Sequence, residues 1–188
     1  MAGLCEPTPR PSDQFMQFYV VGPNQSLADY FPGNNPNIRI GESISWYLSV
    51  TNNMDSVQPV SIRLKISNQT ILPPNDTLAL PSPVTVVTDF TLPTEQRDLD
   101  DIFCLECYER DDRGRSTHIF TLKVNNESSP ISTWSARGGY NFRLIFELWV
   151  WEPNNGFQFG WYTNRGQHTA WLQVWFNMTK PGPVSALP

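Results

Sequence analysis

Cys104-Leu105-Glu106-Cys107 holds two thiols at the spacing that binds one zinc ion or forms a reducible disulfide. Two thiolates make half of a tetrahedral site. The second cysteine pair that completes such sites is absent, which leaves His118, His168 and nearby carboxylates as the remaining candidate ligands. A redox pair belongs with a βαβ frame, which the strand pattern below does not offer. The plain reading is a surface-loop disulfide or two incidental thiols, with Cys104, Cys107 and His118 kept as weak metal candidates and no cofactor expected. Cys5 is the odd cysteine, and Met1 to Leu4 before it is no lipoprotein signal.

Carboxylates are the other candidates. Asp98-Leu99-Asp100-Asp101 clusters the hard oxygens that calcium prefers, yet it lacks the glycine and the downstream glutamate of a calcium loop. With Arg97, Arg110, Arg113 and Arg115 close by, it reads as a solvated run of mixed charge. Glu147 and Asp89 could in principle form a glycosidase pair, but nothing in the sequence singles them out. There is no G-x-S-x-G, no H-E-x-x-H and no phosphate-binding glycine loop, so the expectation is a protein that is not an enzyme.

Aromatic residues offer a binding chemistry instead. Along Phe142 to Trp151, strand alternation puts Phe142, Leu144, Phe146, Leu148 and Val150 on one face and Arg143, Ile145, Glu147, Trp149 and Trp151 on the other. In Ala170 to Met178 the same alternation sends Ala170, Leu172, Val174, Phe176 and Met178 inward and turns Trp171 and Trp175 outward. If the two strands pair, Trp149, Trp151, Trp171 and Trp175 share a face able to stack on a sugar or grip a partner strand. The competing expectation is that Glu152 to Thr169, with Phe157, Phe159 and Trp161, folds back over these rings as an auxiliary core. Five Asn-x-Ser/Thr sequons, at Asn24, Asn68, Asn75, Asn126 and Asn177, are candidate glycan acceptors.

The elements that must position these residues are strands. Ile44, Trp46, Leu48 and Val50 alternate with polar neighbours, as do Val60, Ile62, Leu64 and Ile66, and Asn52 to Ser56 between them supplies turn chemistry. They read as a long hairpin. Phe15 to Val21, Val84 to Leu92 and His118 to Val124 are further strands, and the two aromatic segments should pair. Glu95 to Arg115, with eight of the 18 acidic residues, reads as an irregular insertion or a short helix. The predicted fold is all-β: a two-sheet antiparallel immunoglobulin-like Greek-key sandwich over residues 14–180, with a Pro-rich leader at 1–13 and a tail at 181–188. Its core is expected to hold Ile44, Trp46, Leu48, Val50, Ile62, Leu64, Phe142, Leu144 and Phe146.

Composition agrees with many short strands: only 16% of residues are charged, 17 are Pro and seven are Trp. A net charge of -5 repels phosphates and disfavours nucleic acid as a partner. No run reaches the roughly 20 apolar residues of a membrane-spanning helix, and Phe142 to Trp151 is broken by Arg143 and Glu147. Residues 1–13 do not read as an export signal, so any such signal or anchor is expected outside this sequence.

The order F-Y-V-V-G-P-N, I-G-E-S-I-S-W-Y-L-S-V-T-N-N, V-S-I-R-L-K-I, F-R-L-I-F-E-L-W-V-W and W-L-Q-V-W-F-N-M-T resembles an archaeal family of unknown function. In that family an immunoglobulin-like ectodomain follows membrane helices. The strand, G-E, strand, N-N turn, strand order also looks like adhesion-type modules of prokaryotic surface proteins. The likeness runs from Phe15 to Thr179 with a gap at Glu95 to Arg115, and it brings no catalytic residues. It implies an extracellular or cell-surface glycoprotein module that binds another protein, with a carbohydrate-binding module as the alternative.

Overall fold

A computed structural model of the chain describes residues 14–39, 42–84, 86–92, 97–110, 116–124, 127–163 and 165–178, with 86, 97–110, 116, 120–123 and 127–135 described by backbone pairing alone. The strands in chain order are β1 (Phe15–Val21), β2 (Asn37–Ile38), β3 (Ser43–Asn53), β4 (Gln58–Asn68), β5 (Val86–Leu92), β6 (Arg97–Arg110) and β7 (Ser116–Val124). They continue as β8 (Glu127–Arg137), β9 (Phe142–Glu152), β10 (Gly156–Phe159), β11 (Trp161–Thr163), β12 (Gly166–His168) and β13 (Ala170–Met178). The chain is all-β, with no α-helix among the described residues and so none long and apolar enough to cross a membrane.

One sheet has the order β1-β3-β6-β7-β8 and a second β2-β13-β9-β4-β5, with β10 beside β9 and a small β11-β12 hairpin apart. Pairing is antiparallel except where β2 joins β13, and one of the sheets curls as a half-barrel. The alternation that makes each strand one-sided supplies a shared core between the two sheets. Trp46 of the first sheet meets Phe146 of the second edge-to-face at 6.3 Å. All nine residues expected in the core belong to one buried cluster. Trp46 is 1% exposed, and its indole nitrogen donates to the carbonyl of Tyr30 at 2.6 Å. That bond ties the connection after β1 to the core.

Two expectations are corrected. β3 and β4 do not form a hairpin: β3 pairs with β1 and β6, while β4 pairs with β9 and β5 in the other sheet. The connection arches across the core. Asn52, 0% exposed, holds the arch by donating to Ser56 O and Leu92 O and accepting from Met54 N. Alternation reports which face is buried and not which strand is the neighbour, so facing and pairing strands look alike in sequence. Within 95–115, expected as an irregular insertion or a short helix, Arg97–Arg110 is instead a 14-residue strand placed between β3 and β7. Pairing with β3 outweighs the poor strand preference of Asp98, Asp100 and Asp101.

Residues 69–84 lie between β4 and β5, and the strand expected from Val84 begins at Val86. With four prolines they form no strand and instead cross the outer face of the second sheet.

Candidate functional site

The candidate site has two parts: the outer face of β4, β9 and β13, and the outer edge of β13. Register brings the expected residues together on the face, since Trp171 lies level with Glu147 and Arg63, Trp175 with Arg143, and Trp149 with Ser61. This face is not left open. Arg143, Ile145 and Glu147 are buried, as is Lys65 beside them. The crossing segment covers them through its backbone. Lys65 Nζ donates to Leu80 O at 2.6 Å, Leu80 N donates to Glu147 Oε1 at 2.6 Å, and Arg143 Nη2 donates to Ile71 O.

At the centre, Lys65 Nζ and Glu147 Oε2 form an ion pair at 2.9 Å with both side chains sealed from water. A charge pair survives there only because its remaining hydrogen-bond capacity is met. Glu147 also accepts from Trp149 Nε1 at 3.0 Å, so both of its oxygens are engaged within the fold. Asp89 is exposed on β5, so the two acids sit in opposite environments. Burial lowers the pKa of Arg143, yet a guanidinium remains charged at any physiological pH. It is held by Gln173 Oε1 at 3.3 Å and lies 5.2 Å from the Trp175 ring.

The four tryptophans therefore share a face without sharing a platform. Trp149 is half-buried under the Arg63 guanidinium at 3.7 Å and against Phe159 at 5.8 Å. Trp151, 44% exposed, packs edge-on against Phe157 at 5.2 Å. Trp171 is half-buried, and Trp175 is 40% exposed. Phe157 and Phe159 of β10 reach Trp151 and Trp149 from beside β9, and not from above them as the competing expectation had it.

The edge of β13 was not read from the sequence. One side of β13 pairs with β9 along Ala170 to Phe176. On the other side, β2 pairs only at Asn177 and Met178. Asn177 N donates outward to Pro36 O. By the strand's alternation, the N–H and C=O groups of Trp175, Gln173 and Trp171 also point outward, and no strand pairs with them among the described residues. Beside this edge lies a cleft of about 300 Å³, walled by Tyr19 and Val20 of β1, by Leu27, Tyr30 and Phe31 of the next connection, and by Leu172 to Trp175. It is apolar and aromatic with one amide, the composition of a ligand site.

The remaining candidates lie elsewhere. Cys104 sits level with Ser43 and Lys123, and Cys107 level with Thr121 across a register shift, so the C-x-x-C lies inside strand β6 and not in a surface loop as expected. Asp98 to Asp101 are likewise drawn out along β6. His118, half-buried, lies level with Glu109 and Ser135. His168 stacks on Trp161 at 5.8 Å and bonds Thr163 Oγ1 at 3.0 Å. No group of three or more His, Cys, Asp or Glu side chains converges among the described residues. Cys5 and Asn126 lie outside them. Compared with known proteins, the chain matches no family model and no curated protein.

Proposed function

We propose that this chain is a non-enzymatic secreted or cell-surface module with an immunoglobulin-like sandwich fold, and that it binds an extended segment of another protein along the open edge of β13. The order β13-β9-β4-β5 corresponds to the G-F-C-C′ sheet of a variable-type domain, and β1-β3-β6 to its A-B-E strands. β7 and β8 depart from that plan, following β6 outward in the sheet where an immunoglobulin fold has a single strand that precedes it in sequence. The surface location rests on the sequons and on the resemblance to surface modules.

The observation that carries the binding reading is the β13 edge. Proteins usually guard open edges with charge, proline or a bulge, because a bare row of N–H and C=O groups recruits other strands. Ala170 to Phe176 carries no charged residue, no proline and no glycine. Such a row is complementary to one ligand shape, an extended backbone, and pockets at alternate side chains then supply selectivity. The cleft beside Leu172 to Trp175 is that pocket. For a carbohydrate platform the rings should present open faces in common, whereas Arg63 already occupies Trp149 and Phe157 meets Trp151.

Panning a phage-displayed random peptide library on the chain tests this. The expected ligands are extended peptides with apolar residues at alternate positions. Their affinity should fall at least about tenfold in Gln173→Pro, which removes an outward donor without touching the ladder to β9. Peptides that bind Gln173→Pro unchanged count against the reading. Saturable binding on a glycan array that is lost in Trp151→Ala restores the carbohydrate alternative.

A further inference from the structure

Four of the five sequon asparagines lie among the described residues, and their surroundings differ. Asn177 is used by the fold: its Nδ2 donates to Asn37 Oδ1 at 3.0 Å and its Oδ1 accepts from Asn141 N at 3.0 Å, tying β2 to β13 and to the start of β9. Asn68, at the end of β4, is 9% exposed, and its Oδ1 is taken by the backbone and hydroxyl of Thr70. A sugar on Asn177 Nδ2 would break its bond to Asn37 Oδ1, and at Asn68 it is the burial of the side chain that stands against one.

Asn75 repeats the turn of Asn68 in the open. It is exposed on the 69–84 crossing, where its Oδ1 accepts from Thr77 N at 2.9 Å, Thr77 Oγ1 at 3.1 Å and Leu78 N at 2.8 Å. Asn75 N donates to Leu78 O at 3.0 Å, which closes the turn. Three donors on one carbonyl oxygen fix the amide and leave Nδ2 as its one atom without a partner among the described residues. Asn24 is exposed too, but the hydroxyl of its sequon, Ser26 Oγ, accepts from Ala28 N at 3.1 Å instead of bonding the asparagine.

A second observation concerns what surrounds Asn75. Three residues away on either side, Leu72 is 82% and Leu78 65% exposed, among the highest values for large apolar side chains in the described residues. Exposed apolar side chains on both sides of one turn offer surface that something else can cover. An oligosaccharide does so with the C–H faces of its rings, keeping its hydroxyls in water, and is bulky and solubilising.

We propose that Asn75 is the acceptor of an N-linked oligosaccharide that lies over Leu72 and Leu78, and that Asn68 and Asn177 stay unmodified in the folded chain. The inference rests on the reading of the chain as secreted or surface-exposed, since the donor class is a polyprenyl-pyrophosphate-linked oligosaccharide of the export route. In the transfer, a bond forms from Asn75 Nδ2 to the sugar C1 as the C1–O bond to the pyrophosphate breaks. The pyrophosphate lipid leaves with that electron pair, and a base on the transferase takes one Nδ2 proton.

The test is to secrete the full chain from a glycosylating eukaryotic host and map its glycopeptides by mass spectrometry. Asn75 should be occupied in most molecules, and Asn75→Gln and Thr77→Ala should each lower that occupancy at least tenfold. The glycan-free chain should bind more of an apolar dye, with the excess lost in Leu72→Ser/Leu78→Ser. A secreted, folded chain bare at Asn75, or one whose glycan sits on Asn68 or Asn177, overturns the assignment. Because this host imposes export, such a failure leaves the surface reading standing, whereas fractionation of native cells that finds the chain in the cytoplasm sinks that reading separately.

Discussion

Lys65 and Glu147 show how much the outer face depends on single side chains. Their ion pair is fully buried, and between them they hold both backbone groups of Leu80. Removing one partner strands a charge in a dry site, so Lys65→Met or Glu147→Leu should each cost about 3–5 kcal/mol in urea unfolding. The double variant should cost less than the sum of the singles by about 2 kcal/mol or more. Additive losses would show that the pair is not coupled. The tryptophans should separate in the same assay. Trp149→Ser removes the ring under Arg63 and the donor to Glu147, a loss of roughly 3 kcal/mol. Trp175→Ser, at an exposed ring, should cost less than about 1 kcal/mol. Equal losses would contradict this division. That Trp149, Trp151, Trp171 and Trp175 share a face was legible from alternation alone. Which of them stays open was not, because Trp149 is covered by Arg63 and Phe159 and Trp151 meets Phe157, neighbours set by strand pairing that alternation does not report.

Strands were legible wherever one face is apolar, as for Phe15 to Val21, which the structure reproduces residue for residue. Partners were not, and both the β3-β4 arch and the inclusion of β6 in a sheet follow from contacts distant in sequence. The cleft, too, is built from distant elements, and one glycine controls its wall. A side chain at Gly22 would collide with the backbone carbonyl of Asp29. Gly22→Ala must therefore push the connection outward, moving Tyr30 and Phe31 from the cleft and Tyr30 O from Trp46 Nε1. The expected outcome is a loss of roughly 1–3 kcal/mol from the orphaned indole donor, together with a red-shifted Trp46 emission. Unchanged stability and emission would mean that the connection does not anchor the core.

Across the whole molecule, two sheets close one core and leave β1 and β13 facing each other as edge strands across an apolar cleft. Among the described residues the covered face and the open edge are different regions, and the proposed partner belongs at the edge and not on the tryptophan face. Amide hydrogen exchange of Ala170 to Phe176, measured by NMR with and without a peptide selected on the chain, tests this most directly. In the free protein Trp171, Gln173 and Trp175 should exchange fast while Leu172, Val174 and Phe176, bonded to β9, exchange slowly. The peptide should then slow the first three at least about tenfold and leave the others unchanged. Outward amides already protected in the free chain, or indifferent to the peptide, would contradict binding at this edge.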